Sequence, residues 1–357
     1  MTCQLGILVG VHRSFPMSCS NQVFDASVKK ILVDQFGRSH TDLRISVTDR
    51  CNLRCGYCMP LDASFLSQQK LLTYGEIVRC ARVVSEMGVQ TIRITGGEPL
   101  MRPRLFELVG ELDRLPNIQE VALTTNGLLL GSQAADLAKS GLSRLNVSLD
   151  SLDEGRFEKI ARRSGLQQVL EGLEEASRHG FQSIRLNAVS IRGLTEKDIV
   201  PLATFCREHA FHLRFIEFMP VDAEGTWSHE DVLTGEEVRQ ILGKSFGELI
   251  QNERSDPGQP SIDYTYADGS GVVGFINPVS QPFCDRCDRL RLTADGQFRN
   301  CLFSTTDWDA RALLRTGGTD EELQVLLAAC VNAKHFSHGI GTESFQRPSR
   351  AMYQIGG

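Results

Sequence analysis

The sequence lacks a long apolar run. Its most membrane-like stretch, LGILVGV from Leu5 to Val11, is far shorter than the roughly 20 apolar residues that a membrane-spanning helix needs. No Lys or Arg precedes this stretch, whereas a secretory signal peptide starts with a basic region. These absences predict a cytoplasmic protein with neither a membrane span nor a secretory leader.

An excess of positive charge is also missing. The 357 residues include 38 Lys and Arg against 44 Asp and Glu, a formal net charge of −6. Sequence-independent binding to nucleic acid needs a basic surface that displaces counterions, so that class of function is not expected. The 41% of hydrophobic and 23% of charged residues are typical of a globular chain with a sizeable core.

Cysteine, by contrast, is plentiful. Eleven cysteines in a chain without a predicted leader indicate a reducing compartment, where thiols serve metals or catalysis. Cys80 and Cys206 lie in helical patterns and are expected to be ordinary buried thiols. Six others form two tight groups, Cys51, Cys55 and Cys58 near the N-terminal side and Cys284, Cys287 and Cys301 near the other end.

Short alternating segments predict a parallel sheet. Helical patterns such as that from Ile77 to Met87, capped by Thr73 and Glu76, lie between the segments. Alternating strands and helices indicate parallel pairing through βαβ crossovers. The predicted strands are LRISV from Leu43, TIRIT from Thr91, EVALT from Glu120, RLNVSL from Arg144, SIRLNAV from Ser183 and LRFIEF from Leu213.

Each predicted strand has one apolar and one polar face. Outer helices are expected to cover the apolar faces, so that the polar faces line a lumen. We therefore predict an α/β fold, an incomplete (β/α)6 TIM-like barrel that holds a polar, anionic ligand. An open doubly wound sheet is the alternative, although its central strands would be apolar on both faces. The predicted lumen residues are Arg44, Arg93, Thr124, Ser148 and Arg185.

Three regions are expected along the chain. Residues 1–30 form an N-terminal extension without an assigned role, residues 31–225 form the partial barrel, and residues 226–357 form a C-terminal region. NERSDPGQPS, residues 252–261, predicts a loop, and Asp295-Gly296 predicts a hairpin turn.

The first cysteine group has the spacing C-x3-C-x2-C directly after a strand. A structural zinc site needs four ligands. A cube of iron and sulfide held by three thiolates instead keeps one iron open for another ligand. The end of a barrel strand is where barrel enzymes place their chemistry, so an open iron at this point is expected to be catalytic.

With Tyr57 inside this triplet and GGEP at Gly96 to Pro99, the pattern resembles the radical S-adenosylmethionine superfamily. The resemblance implies that Cys51, Cys55 and Cys58 hold a [4Fe-4S] cluster. It also implies that S-adenosylmethionine chelates the open iron and yields a 5′-deoxyadenosyl radical on reduction.

The second group, C-x2-C-x13-C, also has only three cysteines. One reading is a zinc knuckle completed by Cys330, His335 or His338. Several arginines surround the group, and guanidinium groups match phosphate and purine edges. An exposed basic hairpin is the plainer account of these arginines, which are Arg286, Arg289, Arg291 and Arg299.

CDRCDRLRLTADG, Cys301 and the terminal Gly356-Gly357 extend the resemblance, over residues 32–357, to the GTP 3′,8-cyclase family that opens molybdenum cofactor biosynthesis. This implies a second [4Fe-4S] cluster on Cys284, Cys287 and Cys301 that binds the guanine of GTP. The implied GTP contacts are Arg44, Arg93, Thr124, Arg185, Arg289 and Arg291. The implied S-adenosylmethionine contacts are Tyr57, Gly97, Glu98, Ser148 and Met219, and the implied catalytic residues are Arg289, Arg291, Gly356 and Gly357.

The resemblance further implies a reductant such as flavodoxin, a downstream cyclic pyranopterin monophosphate synthase and a homodimer, although the sequence shows no interface. Arg185 stands where the family usually has lysine, which keeps the charge but changes its shape. Two alternatives stay open. One is a peptide-modifying radical maturase, and the other is a zinc-stabilised binding module without catalysis.

Overall fold

The computed structural model describes residues 31–357 apart from residues 255, 257 and 344. The N-terminal extension predicted for residues 1–30 lies outside these described residues. The described chain forms one twelve-stranded sheet, and helices cover one of its faces.

The six predicted strands are all present and pair in parallel in chain order. The alternating pattern therefore located them correctly, and the α/β class with a partial (β/α)6 barrel is confirmed. The strands are β1 (Asp42–Ser46), β2 (Thr91–Thr95), β3 (Glu120–Thr125), β4 (Arg144–Ser148), β5 (Ser183–Ser190) and β6 (His212–Glu217).

Strands from the C-terminal region extend this sheet at both edges, which sequence reasoning missed. These strands are β7 (Leu249–Gln251), β8 (Ile262–Tyr266), β9 (Val272–Ile276), β10 (Arg289–Leu292), β11 (Gln297–Arg299) and β12 (Trp308–Asp309). β10 pairs in parallel with β1, and β9 pairs in parallel with β6. Antiparallel strands follow outside them, β11 and β12 beyond β10, and β8 and β7 beyond β9.

The helices begin where the sequence supplies caps. Thr73 and Glu76 form the predicted capping box of the first helix. Its bounds and those of the others are α1 (Tyr74–Glu86), α2 (Leu105–Asp113), α3 (Ala134–Lys139), α4 (Glu154–Ala161), α5 (Leu166–Ser177), α6 (Ile199–Glu208), α7 (Gly235–Phe246), α8 (Ala310–Arg315), α9 (Asp320–Asn332) and α10 (Met352–Ile355).

The core lies between the apolar face of the sheet and the helices. Leu43 and Ile45 of β1 are fully buried, and so are Cys80 and Val84 of α1. Burying one such aliphatic side chain contributes about 1.5–3 kcal/mol. The opposite face of β1 carries the half-buried Arg44. Each of the strands β1 to β6 thus places apolar residues outward and polar residues inward, as the alternation predicted.

The predicted loop, the predicted hairpin turn and the predicted buried thiols also agree with the structure. The described residues of the predicted loop, 252–261 apart from 255 and 257, lie outside helices and strands between β7 and β8. Asp295-Gly296 lies at the turn between β10 and β11, where Gly296 has φ +80°. Cys80 and Cys206 are buried thiols, as predicted. No helix within the described residues has the length and apolar content to cross a bilayer.

Candidate active site

The first cysteine group lies in the loop after β1. Burial raises the pKa of Cys51 to about 11 and that of Cys58 to about 12, and repulsion from Cys51 adds to the effect at Cys58. Two neutral groups donate to Cys51 Sγ, the Leu53 amide at 3.4 Å and Asn126 Nδ2 at 3.6 Å. The charges of Cys58 and Cys51 both raise the pKa of Cys55, so the three thiols are close enough to affect one another electrostatically.

A cavity beside this loop brings together two of the predicted S-adenosylmethionine contacts. Tyr57 and Ser148 line it together with Asn126 and Phe157. The Tyr57 hydroxyl donates to Asp150 Oδ2 at 2.7 Å, and burial raises the pKa of Asp150 to about 6. Sequence reasoning had missed Asp150, although it stands two residues beyond Ser148 at the end of a predicted strand.

The GGEP segment packs against the same loop. A Cβ on Gly97 would lie 2.4 Å from the Arg50 carbonyl oxygen, and the Gly97 amide donates to the Thr48 carbonyl at 2.7 Å. Glycine is thus required by the backbone of the cysteine loop itself. Glu98 is fully buried and accepts hydrogen bonds from Thr125 Oγ1 and from the amides of Leu100 and Asn126. Burial nevertheless raises its pKa to about 7.

In the second cysteine group, Cys284 and Cys287 lie just before β10, and Cys301 follows β11. Two cationic groups donate hydrogen bonds to Cys287 Sγ. They are Arg289 Nε at 3.3 Å and Lys334 Nζ at 3.2 Å. Burial raises the pKa of this thiol, but the two charges outweigh that effect and bring it to about 6. Burial raises the pKa of Cys284, which also interacts electrostatically with Cys301 and Cys287.

Arginines line the inner face of the sheet between the two cysteine groups. Arg44 on β1 stands directly opposite Arg93 on β2 and Arg291 on β10. Burial, and then the charges of Arg93 and Arg291, hold the pKa of Arg44 well below its usual range. Arg185 on β5 is opposite Asn146 on β4.

The lumen has more donors than the protein itself uses. The Nε atoms of Arg44, Arg93 and Arg185 are buried and have no hydrogen-bond partner within the described residues. Buried donors are normally hydrogen-bonded, so these three unpaired Nε groups fit a ligand rich in acceptor oxygens. Thr124 belongs to this face too, opposite Asn146. A polyanion fits this donor set, because repulsion among adjacent guanidinium groups would be relieved.

The C-terminal tail enters the same lumen. Arg291 Nη1 donates to the Gly356 carbonyl at 2.7 Å. Gly356 has φ +89°, and a Cβ there would lie 2.8 Å from Ser46 Cβ and 2.9 Å from Thr95 Cγ2. Gly357 follows, half buried beside Met352. Gly356 thus fills a cradle formed by the ends of β1 and β2.

Comparison with known proteins decides the family. The model of the radical SAM superfamily matches residues 45–206, and that of Molybdenum Cofactor Synthesis C matches residues 211–340. The GTP 3′,8-cyclase of Rhodopirellula baltica is 49% identical over 330 residues, which cover 91% of this chain and 92% of that protein. The GTP 3′,8-cyclase of Mycolicibacterium smegmatis is 43% identical over 334 residues, with coverages of 91% and 92%.

The chain belongs to the GTP 3′,8-cyclase family. Its fold is shared more widely. The crystal structure of Streptococcus suis SuiB bound to S-adenosylmethionine aligns with a TM-score of 0.61 at 17% identity, over 87% of this chain and 77% of SuiB. At that identity the likeness concerns the fold alone.

The tertiary structure adds two lumen arginines that sequence reasoning missed. Arg144 on β4 pairs with Glu120 at 2.8 Å. Arg214 on β6 is buried, and its Nε and Nη2 have no hydrogen-bond partner among the residues that the structure describes, although Nη2 lies 3.9 Å from Asp263 Oδ2. Both lie inside predicted strands on the polar face, so the alternation itself could have revealed them. Met219, predicted to contact S-adenosylmethionine, packs in the small apolar cluster that includes Cys301.

The donor sets fit two iron–sulfur clusters better than two zinc ions. No three Cys, His, Asp or Glu side chains in the described part of the chain are arranged to hold one metal ion. A cube of irons and sulfides separates its thiolates further than a single ion does. Cys330, a proposed fourth zinc ligand, is fully buried in the core cluster. Bound iron would also deprotonate thiols whose pKa is raised by burial.

Proposed function

We propose that this chain is a radical S-adenosylmethionine GTP 3′,8-cyclase, which makes (8S)-3′,8-cyclo-7,8-dihydroguanosine 5′-triphosphate in the first step of molybdenum cofactor biosynthesis. The observation that carries the proposal is the row formed by Arg93, Arg44 and Arg291 on adjacent parallel strands. This row lies between the two three-cysteine groups. A substrate that spans two clusters requires a binding site in that position.

The two clusters have distinct candidate ligands. Cys51, Cys55 and Cys58 would hold the cluster that binds S-adenosylmethionine, with Tyr57, Gly97, Glu98, Ser148 and Met219 as its proposed surroundings. When bound, this group would supply the 5′-deoxyadenosyl radical for hydrogen abstraction from ribose C3′ of GTP, the atom that is joined to guanine C8 in the proposed product. Cys284, Cys287 and Cys301 would hold the cluster that binds the guanine.

The side chains of the lumen act by binding and orientation. The proposed GTP contacts would fix the triphosphate, and a fixed substrate keeps its reacting carbon beside the radical source. These contacts are Arg44, Arg93, Thr124, Arg185, Arg289 and Arg291. The hydrogen bond between Arg291 and Gly356 favours a role of the terminal glycines in placing this arginine. Arg185 presents a planar fork where the family usually has an ammonium group.

Further partners are part of the proposal. The electron demand of the reaction requires a reductant, for which flavodoxin is the proposed class. The product would pass to cyclic pyranopterin monophosphate synthase, and a homodimer is the proposed assembly. Each cysteine of the described residues is a free thiol, which favours the reducing cytoplasm.

Anaerobic reconstitution tests the proposed function. The chain is loaded with iron and sulfide, reduced with dithionite and given S-adenosylmethionine with GTP, and mass spectrometry follows 5′-deoxyadenosine and the cyclised nucleotide. Both products are expected, with about eight irons per chain. ATP in place of GTP should give no cyclised product, and Cys55→Ala should form no deoxyadenosine.

Other results would contradict the proposal in distinct ways. Deoxyadenosine without a GTP product would keep the radical chemistry but remove GTP as the substrate. Turnover of a peptide would support the maturase alternative. Two zinc ions per chain, without iron or sulfide, would support the binding module.

A further inference from the structure

Lys334 lies beside the second cysteine group, and the proposed reaction assigns no ligand to it. Its side chain is buried, with the residue only 3% exposed. Nζ donates to Cys287 Sγ at 3.2 Å and to the Arg289 carbonyl at 3.1 Å. One ammonium group therefore joins a candidate cluster ligand to the first residue of β10.

The position of Lys334 is fixed by the chain around it. Gln35 Nε2 donates to the Lys334 carbonyl at 3.1 Å. Arg38 donates to the carbonyls of His335 and Phe336 at 2.9 Å each, and to the Cys284 carbonyl at 2.5 Å. Asp34 holds Arg38 through a buried ion pair at 2.6 Å. The loop before β1 thus fastens the segment after α9 to the second cysteine group.

The two cysteine groups differ in the charge of the donors to their sulfurs. Cys51 Sγ receives hydrogen bonds from a backbone amide and a side-chain amide, both neutral. Cys287 Sγ receives its hydrogen bonds from an ammonium and a guanidinium group. Reduction adds negative charge to an iron–sulfur cluster, and nearby positive charge and hydrogen bonds to sulfur stabilise the reduced form.

We infer that Lys334 is a positioning residue that raises the reduction potential of the second cluster through its hydrogen bond to the Cys287 thiolate. Burial of an ammonium group is costly unless opposite charge and hydrogen bonds compensate. Within the described part of the chain, Nζ has two acceptors, the Cys287 sulfur and a carbonyl oxygen. The inference rests on the second cluster of the proposed function and assigns a task to a residue outside the substrate lumen.

A redox titration followed by electron paramagnetic resonance tests this inference. The full chain carries Cys51→Ala, Cys55→Ala and Cys58→Ala, so that only the second cluster loads, and iron content confirms about four irons per chain. Lys334→Met is expected to lower the reduced-to-oxidised ratio at a fixed potential about tenfold, which is about 59 mV for one electron. Lys334→Arg should recover part of the loss, because it restores a charged donor.

Two matched controls separate this effect from general ones. Lys244→Met removes the same charge from an exposed position on α7 and should leave the potential unchanged. In the complementary chain with Cys284, Cys287 and Cys301 changed to Ala, Lys334→Met should not move the potential of the first cluster. An unchanged second-cluster potential in fully loaded Lys334→Met would overturn the inference.

A measurement on the unsubstituted protein covers the case in which the variants lose iron. With ¹⁵N-labelled lysine, electron–nuclear double resonance should detect a nitrogen coupled to the reduced second cluster. Absence of that coupling in loaded protein would contradict the inference. Neither measurement contains GTP or S-adenosylmethionine, so a failure of the cyclase reaction leaves both results interpretable. A chain that binds no second cluster would contradict the proposed function and the inference together.

Discussion

Arg291 on β10 donates a hydrogen bond to the carbonyl of Gly356, 65 residues further along the chain. The same arginine stands opposite Arg44 across the β1–β10 pair. The end of the chain is therefore held by a residue of the arginine row that would bind triphosphate. This contact joins the candidate substrate site to a terminus that would otherwise be expected to fray.

Gly356→Ala should reduce GTP turnover at least tenfold. The added Cβ would contact Ser46 and Thr95, and φ +89° is unfavourable for alanine by roughly 1–3 kcal/mol. The tail should therefore leave its cradle and release Arg291. Product formation by mass spectrometry measures the effect. Gly243→Ala on α7, where a Cβ meets nothing, is the control, and wild-type turnover by Gly356→Ala would contradict the role.

Arg350→Gln should loosen the C-terminal tail at a point before its terminal glycines. Arg350 makes two hydrogen bonds of 3.0 Å to Asp295 and another of 2.9 Å to Asp307. Losing a partly buried charged partner costs about 1–3 kcal/mol, so turnover is expected to fall about tenfold. Carboxypeptidase should also release Gly357 faster. Arg239→Gln, which breaks an exposed pair with Glu236 and a cation–π contact with Tyr264, should change neither quantity.

Arg44→Gln should weaken GTP binding without affecting S-adenosylmethionine. It removes the central charge of the row, and a charged hydrogen bond contributes about 1.5–3 kcal/mol, which corresponds to about a tenfold to hundredfold rise in dissociation constant. Equilibrium dialysis of the reconstituted protein with each ligand measures this. Arg178→Gln on the exposed surface should leave both constants unchanged. Equal weakening for both ligands would indicate a general loss of structure.

Cys301→Ala should leave S-adenosylmethionine cleavage intact but remove productive GTP turnover. The change takes one candidate ligand from the second cluster and none from the first. Deoxyadenosine and the cyclised nucleotide are quantified in the same reaction. Cys80→Ala, a buried thiol in the core, should retain both products. Normal cyclisation by Cys301→Ala would make the second cysteine group a purely structural site.

His40 should make the folded protein less stable in mild acid. Burial, and then the charge of Lys334, lower its pKa from 6.5 to about 4. Between these values the unfolded chain binds more protons, so stability present above pH 6.5 is lost as the pH falls towards 4, by about 3 kcal/mol in all. His40→Gln should flatten the pH dependence of the unfolding midpoint, and the exposed His229→Gln should not. Carbon-13 resonance of labelled histidine gives the pKa directly, and a titration near 6.5 would contradict this prediction.

Local patterns of the sequence determined the strands, the first helix and the two cysteine groups. Alternation of apolar and polar residues located β1 to β6, because side chains on a strand point to opposite faces in turn. The two cysteine triplets were evident because the ligands of a cluster can come from a short stretch of chain. The inward direction of Arg44, Arg93 and Arg185 followed from the same alternation.

Only the tertiary structure decided which distant segments meet. β10 lies beside β1 although more than two hundred residues separate them, and nothing local in either strand specifies that partner or its register. That pairing brings Arg291 next to Arg44, and the fold around it brings Lys334 to Cys287 and Gly356 to the ends of β1 and β2. The sequence by itself thus determined the chemical groups and the faces on which they lie. The distances between them depend on long-range packing, which buries apolar surface without leaving a mark in any short stretch of the chain.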